Sequence, residues 1–300
     1  MISARVLADS TDGENRLTTF ECVVPKWMLA QINTYGMTRR NAASSRAIPT
    51  LSIVEQIERD PYLPVAYRYR QRGMVPAALM TPEDAGTAER LILNLRDYTV
   101  TIVRALDQLK MAKEDVNRYL EPWMWTVVVM TATEWDNYFQ QRLADNAQGA
   151  FQVLARAQID AINASTPVLR GDYGAAERDL WHLPYISDAE RVGLDDRILP
   201  ALSARRVAGV SYLKHGADGG LVADLGRFAS LVEDGHWSAL EGPCRVGSYR
   251  DEWHGPYRGF KPLRKMYAGE SGSPLFGTQA DDPRFALRRG DLAALIGGAL

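Results

Sequence analysis

Polar and apolar residues interleave near the start of the chain. The run Arg16-Leu17-Thr18-Thr19-Phe20-Glu21-Cys22-Val23-Val24 has in places the period of a half-buried strand, and residues 1–24 are predicted to form strands. Pro25 ends that pattern. Lys26–Asn33 then predicts a short amphipathic helix with Trp27, Leu29 and Ile32 as its apolar positions. Thr34–Pro49 is polar and shows little hydrophobic periodicity. Leu51–Arg59 predicts a helix with Ile53, Val54 and Ile57 on one face, and Asp60–Pro82, rich in turn formers, an ordered loop. From Pro82 to Lys110 the chain predicts one long helix, because Leu91, Leu95, Tyr98, Ile102 and Leu106 follow the three/four spacing of an apolar stripe. Glu114–Leu120 reads as a shorter helix that stops before Pro122. Trp123–Met130 reads as a buried strand or extended segment.

Thr133 with Asp136, and Asp145 with Gln148, have the spacing of helix-opening caps, the second opening a helix to about Ala164. Asn163–Leu199 is loop-rich. Ala201–Tyr212 and Asp224–Glu233 predict two further helices, and the Gly/Pro-rich aromatic tail from Glu241 predicts a surface cover with short strands. This order is α+β, not alternating βαβ. No repeat of 20–50 residues is present, and no Ser/Gly linker divides residues 1–300, so one domain is expected.

Composition narrows the chemistry. The 46% hydrophobic and 24% charged content is that of a globular chain, and the longest apolar run, near Val127–Val129, is far short of a membrane span. Arg5, Asp9, Asp12, Glu14 and Arg16 leave no signal-peptide core, so a cytoplasmic protein is expected. A net charge of −2 gives no basic field for nucleic acid. Only Cys22 and Cys244 could pair as a disulfide, and His182, His215, His236 and His254 lack metal-ligand spacing. GxSxG, P-loop and GxGxxG motifs are absent. What remains is a site of Arg, Ser, Asn and Gln, suited to an anionic ligand.

The segment Gln31 to Pro49 carries that chemistry. It presents Arg39, Arg40, Arg46, Ser44, Ser45, Asn41 and Gln31, with Ala42 and Ala43 leaving room for close approach. Guanidinium forks and hydroxyls form an anion cradle; a solvated basic loop has the same composition.

The string Arg40-Asn41-Ala42-Ala43-Ser44-Ser45-Arg46-Ala47 resembles the signature loop of flavin-dependent thymidylate synthases, RHRxxSxNxxSxRY. Asn41, Ser44 and Arg46 fall on its Asn, second Ser and last Arg. Thr34, Tyr35 and Gly36 replace its Arg-His-Arg, Arg39 its first Ser, and Ala47 its Tyr. Three further blocks extend the resemblance. Glu134–Arg142 with Ala147-Gln148 is similar to the family's later helix end, keeping Asn137 and Arg142. Ser203–Tyr212 resembles AARVSY, with Ser211 on its Ser. Gly235–Glu241 resembles GHxTPFEH, keeping His236, the hydroxyl of Ser238, and Glu241. The last two blocks follow the signature loop here, whereas they precede it in most of the family. About Pro61–Asp115 and the residues after Met266 lie outside the resemblance.

The resemblance implies a flavin-dependent thymidylate synthase-like fold, a mixed sheet flanked by long helices. It implies reductive methylation of carbon 5 of a uracil nucleotide with FAD, NADPH and methylene-tetrahydrofolate, without a cysteine nucleophile. Arg142 would polarise the uracil and bind the nucleotide. Ser44, Ser45 and Arg46 would hold its phosphate, Gln31 would touch it, and Thr34 would lie beside the sugar. Arg39, Asn41, Asn137, Ser211, His236, Ser238 and Glu241 fall on the cofactor side. A homotetramer with sites at subunit junctions is implied as well. Gly36 removes a long cation, which would either relax flavin or nicotinamide binding or open space around the sugar, where Tyr35, Thr34 or Thr38 would partner a ribose hydroxyl. The divergent loop, the Arg- and Ala-rich composition and the chain length together resemble the branch that methylates UMP in polyoxin-type nucleoside antibiotic pathways. A dUMP-specific enzyme and a non-catalytic flavin or nucleotide binder remain the alternatives.

Overall fold

A computed structural model describes residues 1–73, 77–171, 174–210 and 220–267. Strands β1 (Ser3–Thr11) and β2 (Arg16–Pro25) form an antiparallel hairpin with one bulge between Val6 and Ala8. The short helix α1 (Leu29–Ile32) follows a 3-10 turn at Lys26–Met28. The polar stretch read as aperiodic then contains a strand, β3 (Arg39–Ala42), which pairs antiparallel with the later strand Trp125–Ala132. Four residues are too few to register as a period. Helix α2 (Thr50–Arg59) buries Ile53, Val54 and Ile57 as expected.

Helix α3 (Pro82–Gln108) is capped by Thr81, whose Oγ1 accepts from the Asp84 amide, with Pro82 in its first turn. Its buried residues are Val100 and Val103. Leu91, Leu95, Tyr98 and Ile102 of the predicted stripe are exposed instead. The periodicity located the helix and misassigned its inward face. Helix α4 (Lys113–Val116) runs on as a 3-10 helix, Asn117–Trp123, that contains Pro122 rather than stopping before it. Strand β4 (Trp125–Ala132) begins two residues later than predicted.

Helix α5 (Asp136–Leu143) and helix α6 (Gly149–Asn163) carry no side-chain cap. Thr133 accepts from the Arg258 amide, and Asp145 lies outside the start of α6. The two cap readings fail for different reasons: Thr133 is engaged by a distant strand, and α6 starts later than predicted, with Gln148 at its cap position. Two-residue β5 (Val168–Leu169) and β6 (Trp181–His182) follow. Helix α7 (Asp188–Gly193) carries a true capping box between Ser187 and Glu190 inside the stretch read as loop. Helices α8 (Ile198–Gly209) and α9 (Gly220–Glu233) match two predicted helices with earlier starts. Short strands β7 (Cys244–Val246), β8 (Trp253–His254), β9 (Tyr257–Arg258) and β10 (Phe260–Pro262) complete the described chain. Cys244, Tyr257 and Phe260 are fully buried with Leu17, so the tail builds core as well as cover.

The main sheet has the order β3-β4-β2-β1-β5, antiparallel except for the β1–β5 pair, and is therefore mixed. Phe20, Cys22, Val24, Val128, Met130 and Ala132 turn one face toward Trp135, Tyr138, Phe151 and Leu154 of the α5–α6 region. A second core joins α8 and α9 to Trp237, Leu240 and Leu263. A third joins α2, α3 and the 117–124 segment. Among the described residues no helix is long and apolar enough to cross a membrane.

Candidate functional site

Strand β3 is an edge of the main sheet, and the chain's last third covers it. Asn41 Nδ2 donates to the Val207 carbonyl of α8 at 2.6 Å. Arg39 lies opposite Thr131 on β4, and its guanidinium is 3.5 Å from Glu241 Oε1. Glu241 also accepts from Arg264 at 2.9 Å, and its backbone carbonyl accepts from the Tyr257 hydroxyl at 2.8 Å. Gly255 has φ +68°, and a Cβ there would stand 3.1 Å from an Arg39 nitrogen, so glycine leaves room for that guanidinium. Arg39, Arg40, Asn41, Thr131, Val207, Ser238 and Glu241 line one small recess.

The structure thus brings Arg39 and Asn41 together with Ser238 and Glu241, about two hundred positions later in the chain. His236 immediately precedes the same 3-10 turn, Trp237–Glu241, without a side-chain capping bond, and does not line that recess. It lines a cavity of about 470 Å³ with Arg205, Ala208, Arg227, Ser230, Leu231 and Asp234. The α8 helix separates the two hollows, giving Val207 to one and Arg205 to the other. The sizes divide their roles. The Arg39 recess holds about 10 Å³, room for one water at most. The Arg205 cavity falls in the range of small-molecule sites. Arg205 of its wall also forms a buried ion pair, Arg205 Nε to Asp224 Oδ1 at 3.4 Å.

The three loop arginines have three different jobs. Arg40 clamps the loop: it donates to both oxygens of Asn33, to the Tyr35 carbonyl and to both oxygens of Thr38, at 2.6–3.3 Å. Burial, with Arg39 beside it, holds its pKa below the usual arginine value. Arg39 pairs with Glu241. Arg46 is exposed at the end of the 3-10 turn Ser45–Ala47.

Ser45 does not stand ready for a phosphate. It is buried, and its hydroxyl donates to Glu121 Oε1 at 2.6 Å while accepting from Arg118. A carboxylate already takes the proton that a phosphate oxygen would need, and its charge repels an anion. A phosphate role for Ser45 would require this hydroxyl to leave Glu121. Ser44 precedes it in extended backbone, half-buried.

Gln31 and Thr34 are exposed and joined by a Thr34 Oγ1 to Gln31 carbonyl bond of 2.7 Å. Gly36 has open space around it, so a larger side chain would be accommodated there. Arg142 sits 4.5 Å over the centre of the Phe151 ring, a cation–π contact. It also acts electrostatically on Tyr35 and Tyr138, whose rings pack edge to face at 5.3 Å. Tyr35 belongs to the loop that leads to β3, so Arg142 and the loop are neighbours. Asn137 is exposed on α5, with no hydrogen bond to the recess among the described residues. Ser211 lies outside the described residues.

Sequence reasoning missed one buried hub. His182 is fully buried, with Nε2 2.7 Å from Thr19 Oγ1 and Nδ1 2.9 Å from Ser10 Oγ. Thr19 in turn contacts Thr131 Oγ1 at 2.8 Å, so a polar chain runs from Ser10 through His182 to the wall of the Arg39 recess. Burial first, then Arg170 and Arg191, push the imidazole pKa down to about 3. Arg205 and Arg206 were also unassigned, and their signal was visible: two charges inside an apolar run need buried partners. Arg206 finds Glu190, bonding at 2.5 and 2.8 Å. Burial raises the Cys22 and Cys244 thiol pKa values, as expected of structural cysteines.

No protein-family profile matches the sequence, and no curated protein does. Solved structures of a UMP/dUMP methylase, PolB from Streptomyces cacaoi, are similar in part. The complex with 5-Br dUMP has a TM-score of 0.40 and 14% identity, over 50% of this chain and 67% of that one. The complex with 5-Br UMP has a TM-score of 0.39 and 15% identity, over 50% and 68%. Likenesses of this size assign no residue roles here.

Proposed function

We propose that this chain is a flavin-dependent uridylate C5-methylase, acting on UMP and also on dUMP, with methylene-tetrahydrofolate as one-carbon donor and NADPH as reductant. One observation carries the reading: blocks that resemble the family's motifs in permuted order meet around one recess. Arg39 and Asn41 come from the signature loop, and Ser238 and Glu241 from a block near the chain's other end. A permuted order needs that meeting, and a chance resemblance does not predict it.

The donor set suits FAD in part. The cavity beside His236 offers Arg205, Arg227 and Ser230 to the phosphate-bearing end of a dinucleotide, with Asp234 on the same wall. The Arg39 recess is too small for a three-ring system. When bound, the flavin supplies the hydride. The chain's own residues orient and polarise. Arg142, held over Phe151, offers a fixed guanidinium toward a uracil carbonyl, where negative charge develops. Arg46, exposed, offers a bidentate fork to the nucleotide phosphate, beside Ser44. Arg40 orders the loop that carries Tyr35 and Thr34 and so sets the surroundings of the sugar.

The test is a paired assay. Purified protein is examined for a flavin spectrum and supplied with NADPH, methylene-tetrahydrofolate and either UMP or dUMP. A yellow protein that forms 5-methyl-UMP at least as fast as thymidylate supports the reading and its place in nucleoside antibiotic biosynthesis. Turnover of dUMP alone makes it a thymidylate synthase, and turnover of neither overturns catalysis. The occupied Ser45 hydroxyl favours one second reading, a flavin or nucleotide binder without turnover. That reading predicts nucleotide binding with no tritium release from carbon-5-labelled uridylate.

A further inference from the structure

The recess beside Arg39 is shut by its own charges. Arg39 Nε stands 3.5 Å from Glu241 Oε1, beyond the usual range of an N–H···O hydrogen bond. Arg264 reaches the same oxygen at 2.9 Å, within that range. Among the described residues the Arg39 guanidinium donates no hydrogen bond, and 40% of its side chain is exposed. The Glu241 side chain is only 10% exposed, so its carboxylate needs a cation at hand. Arg264 supplies one even when Arg39 moves away. Arg39 is therefore the partner that leaves at small cost.

Charge and size say what it leaves for. Arg39, Arg40 and Arg264 all act on the one carboxylate of Glu241, three guanidiniums against one anion. Arg40 has committed its donors to the loop, so the open fork is that of Arg39. The Ser238 hydroxyl is exposed at the rim beside it. A planar fork with a hydroxyl alongside matches a phosphate group. The closed recess, at about 10 Å³, is too small for one. An outward turn of the guanidinium opens the recess and carries the fork to the anion in one movement. Gly255 keeps that turn free, since a Cβ there would stand 3.1 Å from an Arg39 nitrogen.

We propose that Arg39 is a latched phosphate receptor: Glu241 holds its guanidinium in the closed recess, and a doubly charged phosphate group draws it off while Arg264 keeps Glu241. The latch is distinct from the cavity beside His236, which α8 separates from it. It rests on the recess alone. That a nucleotide carries the phosphate rests on the proposed methylase reading.

Calorimetric titration of the full chain with inorganic pyrophosphate tests it. Arg39→Gln is expected to weaken binding about tenfold or more, and Glu241→Gln to tighten it about tenfold, since the competing carboxylate is gone. Binding seen only in Glu241→Gln is the same latch held tighter. In the double variant the tightening is expected to vanish, because the carboxylate competes only through Arg39. Should Glu241→Gln not fold, Arg264→Gln takes its place in the cycle. It leaves Glu241 dependent on Arg39 and is expected to weaken binding, again only where Arg39 is present. Unchanged affinity in Arg39→Gln, or no binding even in Glu241→Gln, overturns the receptor. An effect of residue 241 or 264 that persists undiminished without Arg39 is a general field effect and overturns the latch. Competition names the source: displacement by UMP assigns the phosphate to the substrate, displacement by FAD assigns it to the cofactor, and displacement by neither overturns the nucleotide. A chain that methylates uridylate without these responses refutes this inference and leaves the chemistry standing. A chain that shows them without turnover keeps the latch and overturns the methylase.

Discussion

Replacing His182 with Gln should remove much of the chain's sensitivity to mild acid. The folded imidazole stays neutral because burial holds its pKa near 3, while in the unfolded chain it titrates near the ordinary value of 6.5. Its folded pKa is depressed, so the unfolded state takes up the proton first. Stability is therefore full above about pH 6.5 and is lost as pH falls toward 3. Between pH 7.5 and 5 the linkage amounts to about 2 kcal/mol for this one group. Glutamine reaches one of the two hydroxyls and leaves the other without its partner, at a cost of about 1–3 kcal/mol at pH 7.5. Urea unfolding at both pH values measures the difference. The variant should be the less stable protein at pH 7.5, and the gap should narrow by about 2 kcal/mol at pH 5. His254, also held down chiefly by burial, titrates in both proteins and cancels. An equal acid slope in the two proteins would refute the buried, neutral imidazole.

Other residues give sharper readings of the proposed chemistry. Arg142→Ala should lower turnover far more than flavin content, measured as visible absorbance per chain, and cost about 1 kcal/mol through the lost contact with Phe151. Ser45→Ala should lower unfolding free energy by about 1 kcal/mol and leave nucleotide affinity unchanged, because its hydroxyl serves Glu121. Arg46→Lys should weaken nucleotide binding in a titration, since an ammonium cannot reproduce the planar fork. Asn41→Ala should lower flavin content by loosening β3 from α8.

Local pattern was readable where one periodicity spanned a whole element. The β1–β2 hairpin and α2 came directly from alternation and from the spacing of Ile53, Val54 and Ile57. β3 was invisible because four polar-flanked residues form a strand only when β4 offers its edge. The exposed stripe of α3 shows that periodicity names a face without saying what covers it. At the candidate site the residue types were legible: Arg39, Asn41, Ser238 and Glu241 do converge. The engagement of Ser45 was not legible because its partner, Glu121, is brought in by the segment of the third core. His182 was missed because a lone histidine between apolar residues carries no spacing at all; its two hydroxyl partners come from β1 and β2, far back in the chain.

The meeting of β3 with the Trp237–Glu241 turn has a consequence for the order in which the molecule is made. The hairpin and β4 lie in the first half of the chain and can associate as it emerges. The recess needs a segment synthesised some two hundred residues after Arg39. Long-range closures of this kind are slow and come late in folding. A nascent chain cut before Trp237 would therefore own the strands of the sheet but lack half the lining of the recess. Pairing of Arg39 with Glu241 is thus a mark that synthesis and closure have both finished.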